Sequence, residues 1–281
     1  MLNYYQPIDY LVIGHITQDV TPQGLILGGT ASYASLTAKA LGLRVGIVTA
    51  VAPNTSLELL DGIQIHAVDS EFCSTFENIN TPHGRIQYIY HVATTLDYSM
   101  VPEVWRDTPI VHLGPIAQEV EPNLARNFSN SFIGLTPQGW LRSWDKQNRI
   151  HPSEWPEARF VLEHASAAVL SIEDVQGDER RIEEMASAIR ILVVTEGAAG
   201  CRLYWNGDLR HFSPPQENEV DPIGAGDIFA TAFFARLSAN HDPWEAARFA
   251  TFLAANSVTR PGLQGVPTPQ EVEQYSIEIL D

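Results

Sequence analysis

The amino-acid sequence predicts a doubly wound α/β domain, and three observations carry that expectation. Short apolar runs recur along the chain and stop at glycine or polar residues, as buried parallel strands do. Segments with helical spacing lie between those runs, the alternation of a parallel sheet covered by helices. Two stretches, Pro22–Leu27 and Cys73–His91, break the rhythm with mixed polar and aromatic residues and read as a small antiparallel flap.

Tyr10–Ile13 is the first buried strand and ends at Gly14. After Gly28-Gly29, the segment Thr30–Leu41 carries Ala and Leu at helical spacing and stops at Gly42, with Thr30 at the N-cap position. Arg44–Val48 reads as the next strand. In the flap, Thr81-Pro82-His83-Gly84 supplies the turn. The alternation then resumes with strands at Ile110–Leu113, Phe132–Leu135, Ala167–Leu170 and Ile191–Thr195, and a helix over Asp178–Arg190. Asn206-Gly207-Asp208 joins Cys201–Trp205 to Leu209–Phe212 as a hairpin. The last third is helical over Asp227–Ser238, Pro243–Ala255 and Pro269–Tyr275.

With 281 residues the chain fits a single domain spanning 1–281, with flap segments near 20–28 and 72–92. Its 44% hydrophobic and 18% charged content supports a substantial core. The formal net charge of −17 argues against nucleic acid as a partner. It also means that a phosphate ligand must be met by local devices, because the overall field repels it. The two cysteines, Cys73 and Cys201, fit a reducing compartment. There is no leader-like start and no apolar stretch of membrane-spanning length, so a cytoplasmic protein without a membrane partner is expected.

The chemistry concentrates at Asp221-Pro-Ile-Gly-Ala-Gly-Asp227, which leads directly into an apolar helix. A Gly-Ala-Gly turn at a helix start lets backbone N–H groups converge, and the helix dipole adds positive potential. That is an anion site. A carboxylate beside it repels phosphate, so Asp227 makes chemical sense as the group that takes a proton from an attacking hydroxyl. There is no G-x-x-x-x-G-K-[ST] and no H-R-D or D-F-G set. With Lys39 and Lys146 as the only lysines, backbone amides and arginines must meet the phosphates.

These residues resemble the ribokinase/PfkB carbohydrate kinases. Asp221–Asp227 resembles the family's D-T-x-G-A-G-D signature, and Gly28-Gly29 its glycine pair before the first helix. Gly14-His-Ile-Thr-Gln-Asp19 is similar to the opening strand end, and Val194-Thr-Glu-Gly-Ala-Ala-Gly200 to the nucleotide-side V-T-x-G-x-x-G. The branch that looks nearest is the myo-inositol kinase-like one, through Cys201-Arg-Leu-Tyr204, Gln138-Gly-Trp-Leu-Arg142 and Ser171-Ile-Glu-Asp174.

The resemblance implies a ribokinase-like three-layer α/β/α sandwich with a small β-lid. It implies transfer of the γ-phosphoryl of ATP to an alcohol, with Mg²⁺ bridging phosphates. Asp227 would be the base, and Gly224, Ala225 and Gly226 the anion hole. Asp19, Gly28, Gly29, Tyr33, Gln138 and Arg142 would serve the acceptor. Thr195, Gly197, Gly200, Asn256 and Gly262 would serve the nucleotide, with Asp174 or Glu173 on the metal side. A monovalent cation near Asp221 and a homodimer through the lid are further implications. The chain departs from the family pattern in three places: Ser171-x-x-Asp174 stands for N-x-x-E, Tyr33 for a sugar-contacting asparagine, and Ile223 for threonine. The acceptor expected is a small polyol, a cyclitol such as myo-inositol first and a sugar second. A nucleoside kinase on this fold and a non-catalytic PfkB-like binding or regulatory protein are the alternatives.

Overall fold

Successive side chains of a strand point to opposite faces, so a continuous apolar run buries both faces only if helices cover each of them. That is what the computed structural model shows; it describes residues 5–81 and 84–278. The strands are β1 (Tyr10–Ile13), β2 (Thr17–Thr21), β3 (Gly24–Gly28), β4 (Val45–Val51), β5 (Gln64–Asp69), β6 (Ser74–Thr81), β7 (Gly84–His91) and β8 (Ile110–Leu113). They continue with β9 (Phe132–Leu135), β10 (Arg142–Trp144), β11 (Ile150–Pro152), β12 (Ala167–Ser171), β13 (Ile191–Thr195), β14 (Cys201–Trp205) and β15 (Asp208–Phe212). The helices are α1 (Thr30–Ala40), α2 (Ala158–His164), α3 (Glu179–Ala188), α4 (Ala225–Asn240), α5 (Pro243–Ser257) and α6 (Pro269–Glu278).

Nine strands form the main sheet in the order β15-β14-β13-β12-β9-β8-β1-β4-β5. The pairings from β13 through to β5 are parallel, while β14 and β15 turn back antiparallel at one edge. Leu11, Ile13, Val111, Leu113, Leu170 and Val194 join Val161 of α2 and Ile182 of α3 in one core cluster. Their sheet neighbours pointing the other way pack on α4 and α5 (Val169, Val193, Leu203) or on α1 (Tyr10, Val12, Ile47). Three layers result, a ribokinase-like α/β/α sandwich as expected. The exposed edge β15 is protected from further pairing by Asp208, Arg210 and His211.

The second sheet, β3-β2-β6-β7, corrects two expectations. It is mixed rather than antiparallel, because β2 and β6 run parallel. Asp19, expected at the end of the opening strand, lies in the middle of β2, opposite Ile26 and Phe76. The flap turn at Pro82 and His83 falls outside the described residues. Thr30 is the first residue inside α1 and Gly29 is its N-cap, so the threonine hydroxyl is free for a longer-range contact. Among the described residues, no helix is long and apolar enough to cross a membrane.

Candidate active site

The loops at the C-terminal ends of the parallel strands gather the polar residues, the usual crevice of an open α/β sheet. Gly224 caps α4 in the left-handed conformation, φ +82°. A Cβ there would lie 2.2 Å from Cε1 of Tyr33, so only glycine fits between turn and ring. Tyr33 itself is buried, and burial raises its hydroxyl pKa, helped by the carboxylates of Asp227, Asp221 and Asp19. Expected to line the acceptor pocket, Tyr33 forms the floor of the turn. A Cβ on Gly226 would meet open space, so that face of the turn is accessible.

Asp227 follows in the first turn of α4, whose N–H groups have no carbonyl one turn earlier to bond. Its carboxyl accepts a hydrogen bond from the Thr30 side chain, so the start of α1 meets the start of α4 at this group. Desolvation pushes the Asp227 pKa up to about 6; the Thr30 hydrogen bond and the Arg142 charge pull it down, and Asp174 pushes it up. A carboxyl poised there is suited to accept a proton near neutral pH.

Arg142, at the start of β10, is buried, with Nη2 donating to Gln87 Oε1 on β7 at 3.1 Å. It therefore joins the second sheet to the surroundings of Asp227. Asp19 lies against the other side of the turn region: a Cβ on Gly28 would come within 2.6 Å of Asp19 Oδ2. Gly29 abuts the His15 carbonyl. Gln138 Nε2 donates to Asp174 Oδ1 at 3.1 Å, and Asp174 Oδ2 accepts from the Ser171 N–H at 2.9 Å. Ser171-x-x-Asp174 thus folds as a capping box on a 3₁₀ turn. Of the two candidate metal carboxylates, Asp174 is the one whose charge reaches Asp227, while Glu173 is exposed.

Among the described residues, no three His, Cys, Asp or Glu side chains cluster as ligands for a metal. Mg²⁺ keeps waters and takes most other ligands from phosphates plus one or two carboxylates, and Asp174 is the carboxylate here that could hold it. The Asp221 carboxylate is committed to the N–H groups of Ile223 at 3.0 Å and Gly262 at 2.8 Å. A monovalent cation nearby would have to rest on backbone carbonyls.

Among the residues expected to serve the nucleotide, Thr195 pairs with Ser171 in register, so the β13 turn sits beside the Asp174 turn. Gly200 packs against the Phe212 carbonyl, and Phe212 lines a hollow of about 260 Å³ with His211, Ser213, Arg248, Thr251 and Phe252. Sequence reading missed this hollow, because its walls come from distant stretches of chain that carry no motif. The two residues expected as an adenine wall each have a described setting. Asn256 holds Arg260 through Oδ1 at 2.8 Å on α5. Gly262 opens instead on a larger apolar hollow beside Leu27, Leu36 and Pro261.

Residues 155–271, which include the Asp227 turn, match the model of the pfkB family carbohydrate kinases. The chain is 26% identical over 256 residues to a cytidine kinase of Thermococcus kodakarensis, covering 82% of this chain and 89% of that protein. It is 43% identical to an inositol 3-kinase of Zea mays, but over 77 residues, or 27% of this chain and 20% of the maize protein. In fold it superposes on a pyrophosphate-dependent kinase of the ribokinase family solved with a pyrophosphate analog and myo-inositol. That match has a TM-score of 0.78 and 19% identity, covering 94% of this chain and 99% of that one.

Proposed function

We propose that this kinase transfers the γ-phosphoryl group of ATP to a hydroxyl of a small polyol, a cyclitol such as myo-inositol ahead of a sugar. The observation that carries the proposal is Asp227: a carboxyl with pKa raised to about 6, at the open N-terminus of α4, beside a glycine turn. Asp227 accepts the proton of the attacking hydroxyl. The N–H groups of the Gly224-Ala225-Gly226 turn stabilise charge on the phosphoryl group in flight. Arg142 adds a positive charge on the same side and is the residue best placed to offset the protein's acidity there. Bound Mg²⁺ would neutralise the phosphates, with Asp174 the carboxylate suited to orient it through water.

The β3-β2-β6-β7 sheet acts as the lid over the acceptor, with Asp19 and Gln87 facing it; exposed Leu25 and Ile26 on edge strand β3 support pairing of two copies there. The hollow beside Gly200 receives the nucleobase. A nucleoside acceptor is the second reading, favoured by the alignment with the cytidine kinase along most of both chains.

Donor consumption with ATP or pyrophosphate, measured against cyclitols, sugars and nucleosides, tests the reading, with Asp227→Ala as the blank. Polyol-dependent ADP release that disappears in the blank is the expected result. Nucleoside-dependent release moves the protein to the second reading, pyrophosphate turnover replaces the donor, and no release from any pair above the blank removes the kinase function.

A further inference from the structure

Four chain crossings connect the second sheet to the body: β1 to β2, β3 to α1, β5 to β6, and β7 onward. One fully buried side chain, His15, sits in the first crossing and touches the others. Its Nδ1 lies 2.7 Å from Ser74 Oγ at the start of β6. Its Nε2 lies 2.9 Å from the Thr94 carbonyl just past β7. Its own carbonyl is the atom against which Gly29, at the β3 to α1 crossing, is packed. Its N–H donates to Glu119 Oε1 at 3.1 Å. The buried Glu119 belongs to the body, anchored by the N–H groups of Ile116 and Ala117 at 2.9 and 2.6 Å.

A carbonyl only accepts, so Nε2 carries the proton to Thr94. Ser74 Oγ also accepts from the Ala93 N–H at 3.0 Å, and Glu119 Oε1 lies 4.0 Å from Nδ1. Every polar group at the junction is satisfied in this one arrangement. A tilt of the sheet against the body would leave a buried donor or acceptor unmet, which is costly. Neither His15 nor Ser74 touches Asp227, the glycine turn or the hollow beside Gly200.

We propose that His15 is the positioning residue of the lid hinge: through Ser74 and Thr94 it holds the four-stranded sheet at the angle that closes the acceptor site. It thereby limits access of water to the base. The inference rests on the phosphotransfer reading for its consequence, water exclusion, but its hinge role can be measured without turnover.

Ser74→Ala removes the partner of Nδ1 and of the Ala93 N–H with little change in volume. His15→Asn keeps an acceptor for Ser74 and drops the bond to Thr94. Amide hydrogen exchange is followed in β2, β6 and β7 against β1, β8 and β12, and donor hydrolysed is counted per acceptor phosphorylated. The expected result for Ser74→Ala is roughly tenfold lower protection confined to the lid strands, the effect of one net hydrogen bond. Acceptor KM should rise and donor loss to water should increase, with kcat for the acceptor little changed. Unchanged lid protection, or loss spread equally over the main sheet, overturns the hinge assignment and leaves a plain core histidine. If His15→Asn fails to fold, Ser74→Ala alone decides. If the wild-type protein transfers no phosphoryl group, the functional reading fails, while the exchange comparison still confirms or refutes the hinge.

Discussion

Replacing Asp227 by asparagine should stop the reaction and make the protein more stable, and the second half of that expectation is the stricter test. Desolvation is the first cause of the raised pKa, so the fold holds this carboxyl more comfortably neutral than charged. Its folded value of about 6 lies above the ordinary 3.8. Protonation therefore favours the folded state, and stability from this group falls as pH rises from 3.8 through 6. At pH 7.5 the ionised carboxylate costs up to about 3 kcal/mol, and nearer ~1–2 kcal/mol once the open face of the turn lets water relax around it. Asparagine removes the charge and keeps an oxygen for the Thr30 hydroxyl. Urea unfolding of both proteins at pH 7.5 and at pH 4 measures the difference. Asp227→Asn should be more stable at pH 7.5, and the gap should shrink towards pH 4. Turnover should fall by about 10²–10⁴-fold, the loss of a general base. Equal stability at both pH values, or a gap that widens on acidification, would refute the claim that burial sets this group's charge.

Three further outcomes follow from the same geometry. The acid limb of kcat/KM should fall near pH 6, moving up in Arg142→Gln, which removes a lowering charge, and down in Asp174→Asn, which removes a raising one; pH–rate profiles of the three proteins read this. Gly224→Ala places a non-glycine residue at φ +82° and drives its Cβ into Tyr33, so chemical unfolding should show a loss of about 2–4 kcal/mol, part left-handed strain and part overpacking. Arg202, buried and bidentate to Glu179 at 2.8 and 2.9 Å, adjoins the β13 turn; Arg202→Gln should raise the donor KM several-fold while leaving the acceptor KM alone.

The main sheet was legible because its strands are buried on both faces, and a run such as Leu192–Val194 admits few other readings. The Asp227 turn was legible because glycine at a helix start constrains the backbone directly. What stayed hidden lacks either signal. β2 reads Thr-Gln-Asp-Val-Thr, half polar because its sheet covers only one face, so the sequence does not show that Asp19 lies within a strand. β5, at the sheet edge, mixes Gln and His with Ile and Val for the same reason. Thr30 looked like a cap, yet its hydroxyl serves a residue far along the chain, a long-range pairing that local pattern does not encode. Ser171-x-x-Asp174 resembles a metal motif, and its hydrogen bonds also form a capping box that the resemblance does not describe. His15 carries no spacing signal, since its partners are contributed by strands that meet only in the folded chain.

On the proposed function, an acidic protein that handles phosphate has to solve a local problem with few cations. Neither lysine serves the site: Lys39 bonds the Asp61 carbonyl at the far end of α1, and Lys146 is exposed in the β10–β11 turn. The positive potential instead comes from the N-termini of α1 and α4, which meet at Asp227, and from the buried guanidinium of Arg142. These same groups oppose the desolvation that burial imposes on Asp227. Without them the carboxyl would titrate above about 6 and be increasingly protonated near neutral pH, unable to accept a proton from the acceptor hydroxyl. Arg142 also bonds Gln87 of the lid sheet. On the proposed reading, the charge that supports the ionised form of Asp227 is therefore held in place by the sheet that would cover the site.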